Sequence, residues 1–367
     1  MTPNHHAIAE QWVLLDNFYV ESEVSADGHE WTMGAYASDF VERTWPVTYG
    51  GKGTQPKAPD QHVPVDDELA DRYRLGYPSE GNYAIAAPKS GYLWDLAKAA
   101  GVTYHSYGEF VQNAAVVGEP GRARIEVLEG HFDPLFRSFD MDYPDVKRAA
   151  RFLEELRRYE QLGELPRLIV LRLPNDHTIG TSPGKPTPQA CVADNDQGLG
   201  MVLQGLSRSR FWSSMAVFVV EDDAQNGPDH VDAHRSVGLV AGPFVRRGAV
   251  VSTLYSTCSM LRTMELILGL PPMSQFDAAA LPMWDVFQPV ADPGGYELRA
   301  AQVSLTDVNA KTSWGAEESQ RMDLSREDAA DDLLLNEIVW RSVRGAGSPM
   351  PAPRRAAFVR ALSDDDD

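Results

Sequence analysis

Ala216-Val217-Phe218-Val219-Val220 runs straight into Glu221-Asp222-Asp223. A short, valine-rich and continuously apolar run reads as a strand buried on both faces, since a strand with one wet face alternates instead. Adjacent carboxylates close that strand. In open α/β sheets, ligands bind beyond the carboxyl ends of the strands, so the acidic pair stands where a site belongs. The chain continues Ala224-Gln225-Asn226-Gly227-Pro228-Asp229-His230-Val231-Asp232-Ala233-His234-Arg235. Its carboxylates offer oxygen ligands to a hard divalent cation, and its histidines offer imidazole to a metal such as zinc. A solvated acidic loop turning at Asn226-Gly227 is the ordinary reading of the acids alone. Histidines at a strand end favour the site.

Moving outward, Leu168-Ile169-Val170-Leu171-Arg172-Leu173 is a second buried strand. Between the two strands, Leu199, Met201, Val202 and Leu206 recur at helical spacing over Gly198 to Ser209, which completes the strand–helix–strand unit of a parallel sheet. The second strand also ends in potential ligands, Pro174-Asn175-Asp176-His177-Thr178. Near the start, Val13 to Tyr19 reads as a strand leading to Glu21 through Trp31, with a helix opening over Thr32 to Glu42. A hydroxyl on a loop entering a helix suits a phosphoryl-accepting nucleophile, because the helix amino terminus favours the phosphate charge. Helix capping explains the same residue types without chemistry.

Further helices are expected at Tyr92–Ala100, Val146–Leu162 and Thr257–Leu268, the last stopping at Gly269 before Pro271. Residues 49–83, rich in Gly, Pro and Asp, read as a long loop over one face of the sheet. Two domains are expected: 1–290 as the main domain, and 291–367 as an extension with one docked helix and an acidic tail. In the extension, Ser325-Arg326-Glu327-Asp328 reads as a helix cap with an acidic first turn.

Composition narrows the functional classes. The 367 residues carry 53 acidic and 33 basic side chains, a net charge of −20. Such a surface repels nucleic acid and anionic membranes, and no basic cluster interleaves with aromatics. No apolar run is long enough to be a transmembrane segment. Two cysteines, Cys191 and Cys258, allow neither a disulfide framework nor a cysteine zinc site. No signal peptide opens the chain, so localisation cannot be read from it.

Taken together, Leu15-Asp16-Asn17-Phe18-Tyr19 through Ser25-Ala26-Asp27-Gly28-His29, Asn175-Asp176-His177-Thr178 and the Glu221–Ser236 run resemble the phosphoesterase family of phospholipases C and acid phosphatases. That family lies in the alkaline-phosphatase-like superfamily, and the bacterial branch often fused behind a β-propeller is the most similar. Gly242-Pro243-Phe244, Tyr255 through Glu265, and the Leu335–Trp340 helix extend the match. The resemblance implies an α/β fold, a three-layer αβα sandwich with a mostly parallel sheet. It implies a phosphoric ester hydrolase using a Ser/Thr nucleophile and a divalent metal ion (zinc, calcium, magnesium or manganese). The substrate would be a phosphate-ester small molecule or a phospholipid head group.

Carried over by residue, Asp222 and Asp223 match the adjacent metal-binding aspartates, and Asp176 a further metal contact. His230 falls near the phosphate, with His177 and His234 as the other candidates for protonating the leaving group. Ser25 is the expected nucleophile; Asp27 or Thr32 could take its place, because Gly28-His29 stands where the family has Pro-Asn. Arg235 and Lys185 read more simply as surface charge than as phosphate contacts. The family's Glu-Asn motif has no counterpart before Val13, so the resemblance implies that the chain begins inside the domain, with a missing strand and an upstream propeller domain. Relatives are often exported, which implies a periplasmic or extracellular full-length protein. From a different class, a metal- or anion-binding pseudoenzyme module fits the same acidic cluster.

Overall fold

The computed structural model describes residues 1–50, 76–78, 80–223 and 234–351. The strands are β1 (Val13–Leu15), β2 (Phe18–Tyr19), β3 (Tyr104–Tyr107), β4 (Val111–Gln112), β5 (Arg122–Ala123), β6 (Leu168–Leu171), β7 (Val217–Val220), β8 (Gly238–Ala241), β9 (Ala249–Val251) and β10 (Tyr255–Ser256). The helices are α1 (Pro3–Gln11), α2 (Ser25–Gly34), α3 (Asp39–Thr48), α4 (Leu93–Ala99), α5 (Asp145–Leu162), α6 (Pro188–Arg208), α7 (Thr257–Leu268), α8 (Gln275–Ala279), α9 (Ala316–Arg321) and α10 (Asp332–Arg344).

The fold is α/β. A four-stranded sheet has the order β7-β8-β1-β9. β1 runs parallel to β9, with Val13 opposite Ala249, while β8 runs antiparallel to both β1 and β7. The pairs β3–β6 and β2–β10 are parallel. The pair β4–β5 is antiparallel.

Layering follows from the period-2 alternation of strand side chains. In β6, Ile169 and Leu171 pack with Phe152 and Leu156 of α5 and Val202 and Leu206 of α6. Leu168 and Val170 turn the other way, onto Leu93 and Trp94 of α4 and Leu261 of α7. Helices therefore cover both faces of these strands. Ile8 of α1 and Leu199 and Leu203 of α6 close over Val13, Leu15, Leu239 and Val240.

Residues after 291 bond to earlier parts of the chain. The buried Tyr296 hydroxyl donates to Asn4 Oδ1 at 2.7 Å, and the backbone of Thr181 donates to Ser319 Oγ at 3.0 Å. Ile338 of α10 has no exposed surface. Among the described residues, no helix is long and apolar enough to cross a membrane. Both cysteines are free and buried.

Several boundaries depart from the sequence expectations. The helix expected from Thr32 to Glu42 is two helices, because Ala35 takes a left-handed conformation (φ 58°) and ends α2. α6 begins ten residues before Gly198, at a Thr187 cap that accepts from the Ala190 amide. α10 is capped by Asp331 rather than Ser325; Ser325 and Arg326 instead close a turn on Asp323. Glu327 and Asp328 are drawn inward rather than forming a first helical turn.

Candidate functional site

At the end of β7, Glu221 keeps open surface, Asp222 is about one-third exposed (34%) and Asp223 is buried. The Ser22 hydroxyl donates to the Asp222 carbonyl oxygen. Gly28 of α2 lies against the same carbonyl, where an added Cβ would stand 2.6 Å from the oxygen. Only a hydrogen at that position lets the helix approach the strand end so closely.

α2 begins at Ser25 because Val24 is extended and Asp27 reaches back to accept from the Glu23 and Val24 amides at 3.0 Å. Burial outweighs these bonds and pushes the Asp27 carboxyl up to about 7. Ser25 Oγ donates to Asp223 Oδ2 at 3.2 Å. The Ser25 amide donates to Asp328 Oδ2 at 2.9 Å. The Tyr77 hydroxyl accepts from the Ala26 amide at 3.0 Å and donates to the same Asp328 oxygen.

The second strand end supplies Asp176 and His177. Their turn is held by buried polar groups: Asp194 accepts from Asn175 Nδ2 at 2.7 Å and also from the Asp145 amide, and Asp145 accepts from the Asn175 amide at 2.9 Å. Asn195 Nδ2 donates to the Leu173 carbonyl at 2.7 Å and to Asp176 Oδ1 at 3.3 Å. Asp176 and Glu221 both retain open surface, yet the surrounding protein desolvates their carboxyls. Burial and the charges of Glu221, Asp145 and Asp222 hold the Asp176 carboxyl well above its usual range. Asp223 is raised in the same direction by burial, Asp222, Asp328 and Glu221. Carboxylates gathered this way repel, and each favours a proton or a cation.

Beside Asp222 lies a buried ionic network. His29 Nδ1 meets Glu109 at 2.7 Å, while Nε2 stands 3.4 Å from both Glu80 and Asp222. Burial works against the imidazolium, but Glu109 and Asp222 outweigh it and raise His29 to about 10. His29, Glu80 and Glu109 bring ligand-type atoms within 4.8 Å of one another. Arg172 already supplies a cation there: its guanidinium pairs with Glu80, with Glu327 at 3.0 Å, and lies 3.1 Å from His29 Nε2. We therefore read this cluster as an ion-pair network that buttresses Asp222.

The divalent cation implied by the resemblance calls for ligands at the strand ends. Among the described residues, however, the three ligand-type atoms that lie within 4.8 Å of one another belong to His29, Glu80 and Glu109. Asp222 Oδ2 and His177 Nε2 are buried atoms without a hydrogen bond. Asp222, Asp223 and Asp176 carry the hard oxygen atoms that such a cation takes, and Ser25 Oγ bonds to Asp223.

Of the other candidates, Thr32 bonds back to the Gly28 and His29 carbonyls within its helix, and Asp27 serves as the cap. His234 lies 3.8 Å from Glu23. His230 lies outside the described residues. Lys185 pairs with Asp142 on the surface, and Arg235 donates to the Asp16 carbonyl. Sequence reasoning missed Tyr77 and the network of His29, Glu80, Glu109 and Arg172, and it read Asp328 only as part of a cap. The signal available for His29 was its place beside Gly28, on the loop already singled out.

No protein-family model and no curated protein matches this sequence. Similar solved structures do exist. Murine ectonucleotide pyrophosphatase / phosphodiesterase 5 is 11% identical with a TM-score of 0.47, covering 78% of this chain and 95% of that one. A protein in the alkaline phosphatase superfamily from Vibrio parahaemolyticus is 14% identical with a TM-score of 0.43, covering 78% of this chain and 65% of that one. Ps i-CgsB is 10% identical with a TM-score of 0.47, covering 78% of this chain and 70% of that one.

Proposed function

We propose that this chain hydrolyses phosphate esters, with Ser25 as nucleophile and a divalent cation held by Asp222, Asp223 and Asp176. The observation that carries the reading is the 3.2 Å contact between Ser25 Oγ and Asp223 at the first turn of α2. It puts a hydroxyl, a carboxylate and a helix amino terminus in one place.

A bound cation would lower the pKa of the hydroxyl and offset charge on the phosphoryl oxygens. Asp223 orients Ser25 Oγ through its hydrogen bond and would take up the hydroxyl proton as Oγ attacks. Oγ attacks phosphorus in line, forming one P–O bond as the ester P–O bond breaks. His177, with a buried Nε2 that has no hydrogen-bond partner, is our choice to protonate the departing oxygen. His230 and His234 remain the other imidazoles of the proposal. Water then releases phosphate from Ser25. The proposed substrates are small phosphate esters or phospholipid head groups.

A second reading, a metal- or anion-binding module without turnover, is favoured by one observation. The Ser25 amide is already taken by Asp328. Hydrolysis of 4-nitrophenyl phosphate and its bis-ester, with zinc, calcium, magnesium or manganese added in turn, separates the two. The enzyme reading expects metal-dependent turnover that Ser25→Ala lowers by a factor of about a thousand or more. Metal binding with no turnover of either ester would leave the module.

A further inference from the structure

The carboxy-terminal extension does more than dock. Between the Asp323 turn and α10 it sends two successive carboxylates into the interior, both buried. Glu327 meets Arg172 at 3.0 Å, in the network beside Asp222. Asp328 bonds the Ser25 amide at 2.9 Å and the Tyr77 hydroxyl. Asp328 has a positive φ of 49°, which turns the two side chains to different partners. Asp takes this left-handed conformation more readily than most residues with a Cβ. On the outer side, the Gly50 amide donates to the Asp328 carbonyl at 2.8 Å and fastens the strap to the end of α3.

Resting on the hydrolase reading of Ser25, we propose that residues 325–331 form an autoinhibitory strap: Asp328 holds the place at the Ser25 amide that a phosphoryl oxygen of the substrate must take, and the strap withdraws when an ester binds. The chemistry of the contact matches that role. A carboxylate is the side chain that imitates an anionic phosphoryl oxygen, and its donors are the nucleophile's own amide and a buried phenol. A phosphate entering beside Asp328 would meet like charge at close range beside a buried carboxyl, where repulsion is weakly screened. The anion and the strap therefore compete for one position. Arg172 offers the strap a second side-chain attachment through Glu327, beside the Gly50 bond to the Asp328 carbonyl, so release breaks these contacts together.

Asp328→Asn tests this, because the amide keeps the shape and an acceptor oxygen for Ser25 while removing the charge. Binding of inorganic phosphate and orthovanadate is measured by calorimetry on the full chain with saturating divalent metal. Hydrogen exchange of the strap amides and turnover of bis(4-nitrophenyl) phosphate are followed alongside. We expect Asp328→Asn to bind both anions at least about tenfold tighter, and phosphate to speed exchange in the wild-type strap. Glu327→Gln should tighten binding in the same direction by removing the second attachment. Equal anion affinity in wild type and Asp328→Asn overturns the strap and leaves the hydrolase reading standing. Loss of turnover or of metal binding in Asp328→Asn also overturns it, by making Asp328 part of the working site. Absence of anion binding and of turnover in both proteins overturns the hydrolase reading itself, and the strap with it.

Discussion

Asp222 and Asp223 are neighbours in sequence with different duties. Asp223 is buried and receives the Ser25 hydroxyl; Asp222 keeps part of its surface, packs beside His29 and leaves Oδ2 without a hydrogen bond. Replacing both with Ala should abolish divalent-metal binding in calorimetry while the circular dichroism spectrum stays that of the wild type. Unchanged metal affinity would remove them from the site. At this scale local sequence context marked the places beyond β6 and β7 where the structure puts Asp176 and Asp222. Ser25, at the first turn of α2, was singled out through the family resemblance. The roles given to all three are those of the proposal. Asp328 could not be found from local context. Its partner Ser25 lies 303 positions away, and no local pattern distinguishes a carboxylate that caps a helix from one that crosses the molecule.

Among the elements, the approach of α2 to β7 rests on Gly28. Gly28→Ala should force the helix off the Asp222 carbonyl, lengthen the Ser25–Asp223 contact and lower metal affinity by about tenfold or more, read by calorimetry. The turn carrying Asp176 depends in the same way on α6. Asp194→Ala would strand the buried Asn175 amide group and the Asp145 amide, a loss of about 2–4 kcal/mol in urea unfolding. The legible helices were α4, α5 and α7, whose apolar spacing and stop signals stand out. The first half of α6 was not, because Pro188, Asp194, Asn195 and Asp196 break the apolar period. Those polar residues face buried partners instead of water: Asp196 accepts from the amides of Asn4 and His5.

For the molecule as a whole, buried carboxyls make stability depend on pH in an unusual direction. Burial pushes Glu30 and Glu265 up to about 8 and Asp27 up to about 7. The unfolded chain ionises these groups near 4 to 4.5. Between those limits the folded state holds more protons, so the stability they lend is complete at low pH and is lost as pH rises through 7 to 8. The metal-free protein should therefore melt several degrees lower at pH 8.5 than at pH 5.5, and Glu265→Gln should flatten that trend. A melt that rises with pH would refute it. The position of β1 has a consequence of another kind. Val13 pairs with Val240 on one side and Ala249 on the other. A ribosome adding roughly 5–20 residues per second would leave this strand waiting on the order of ten seconds or more for its neighbours. Throughout that interval its valine and leucines have no sheet to join, and the nascent chain is open to wrong partners. Synthesis without holding chaperones should yield aggregate, and slowing translation should worsen the yield rather than improve it.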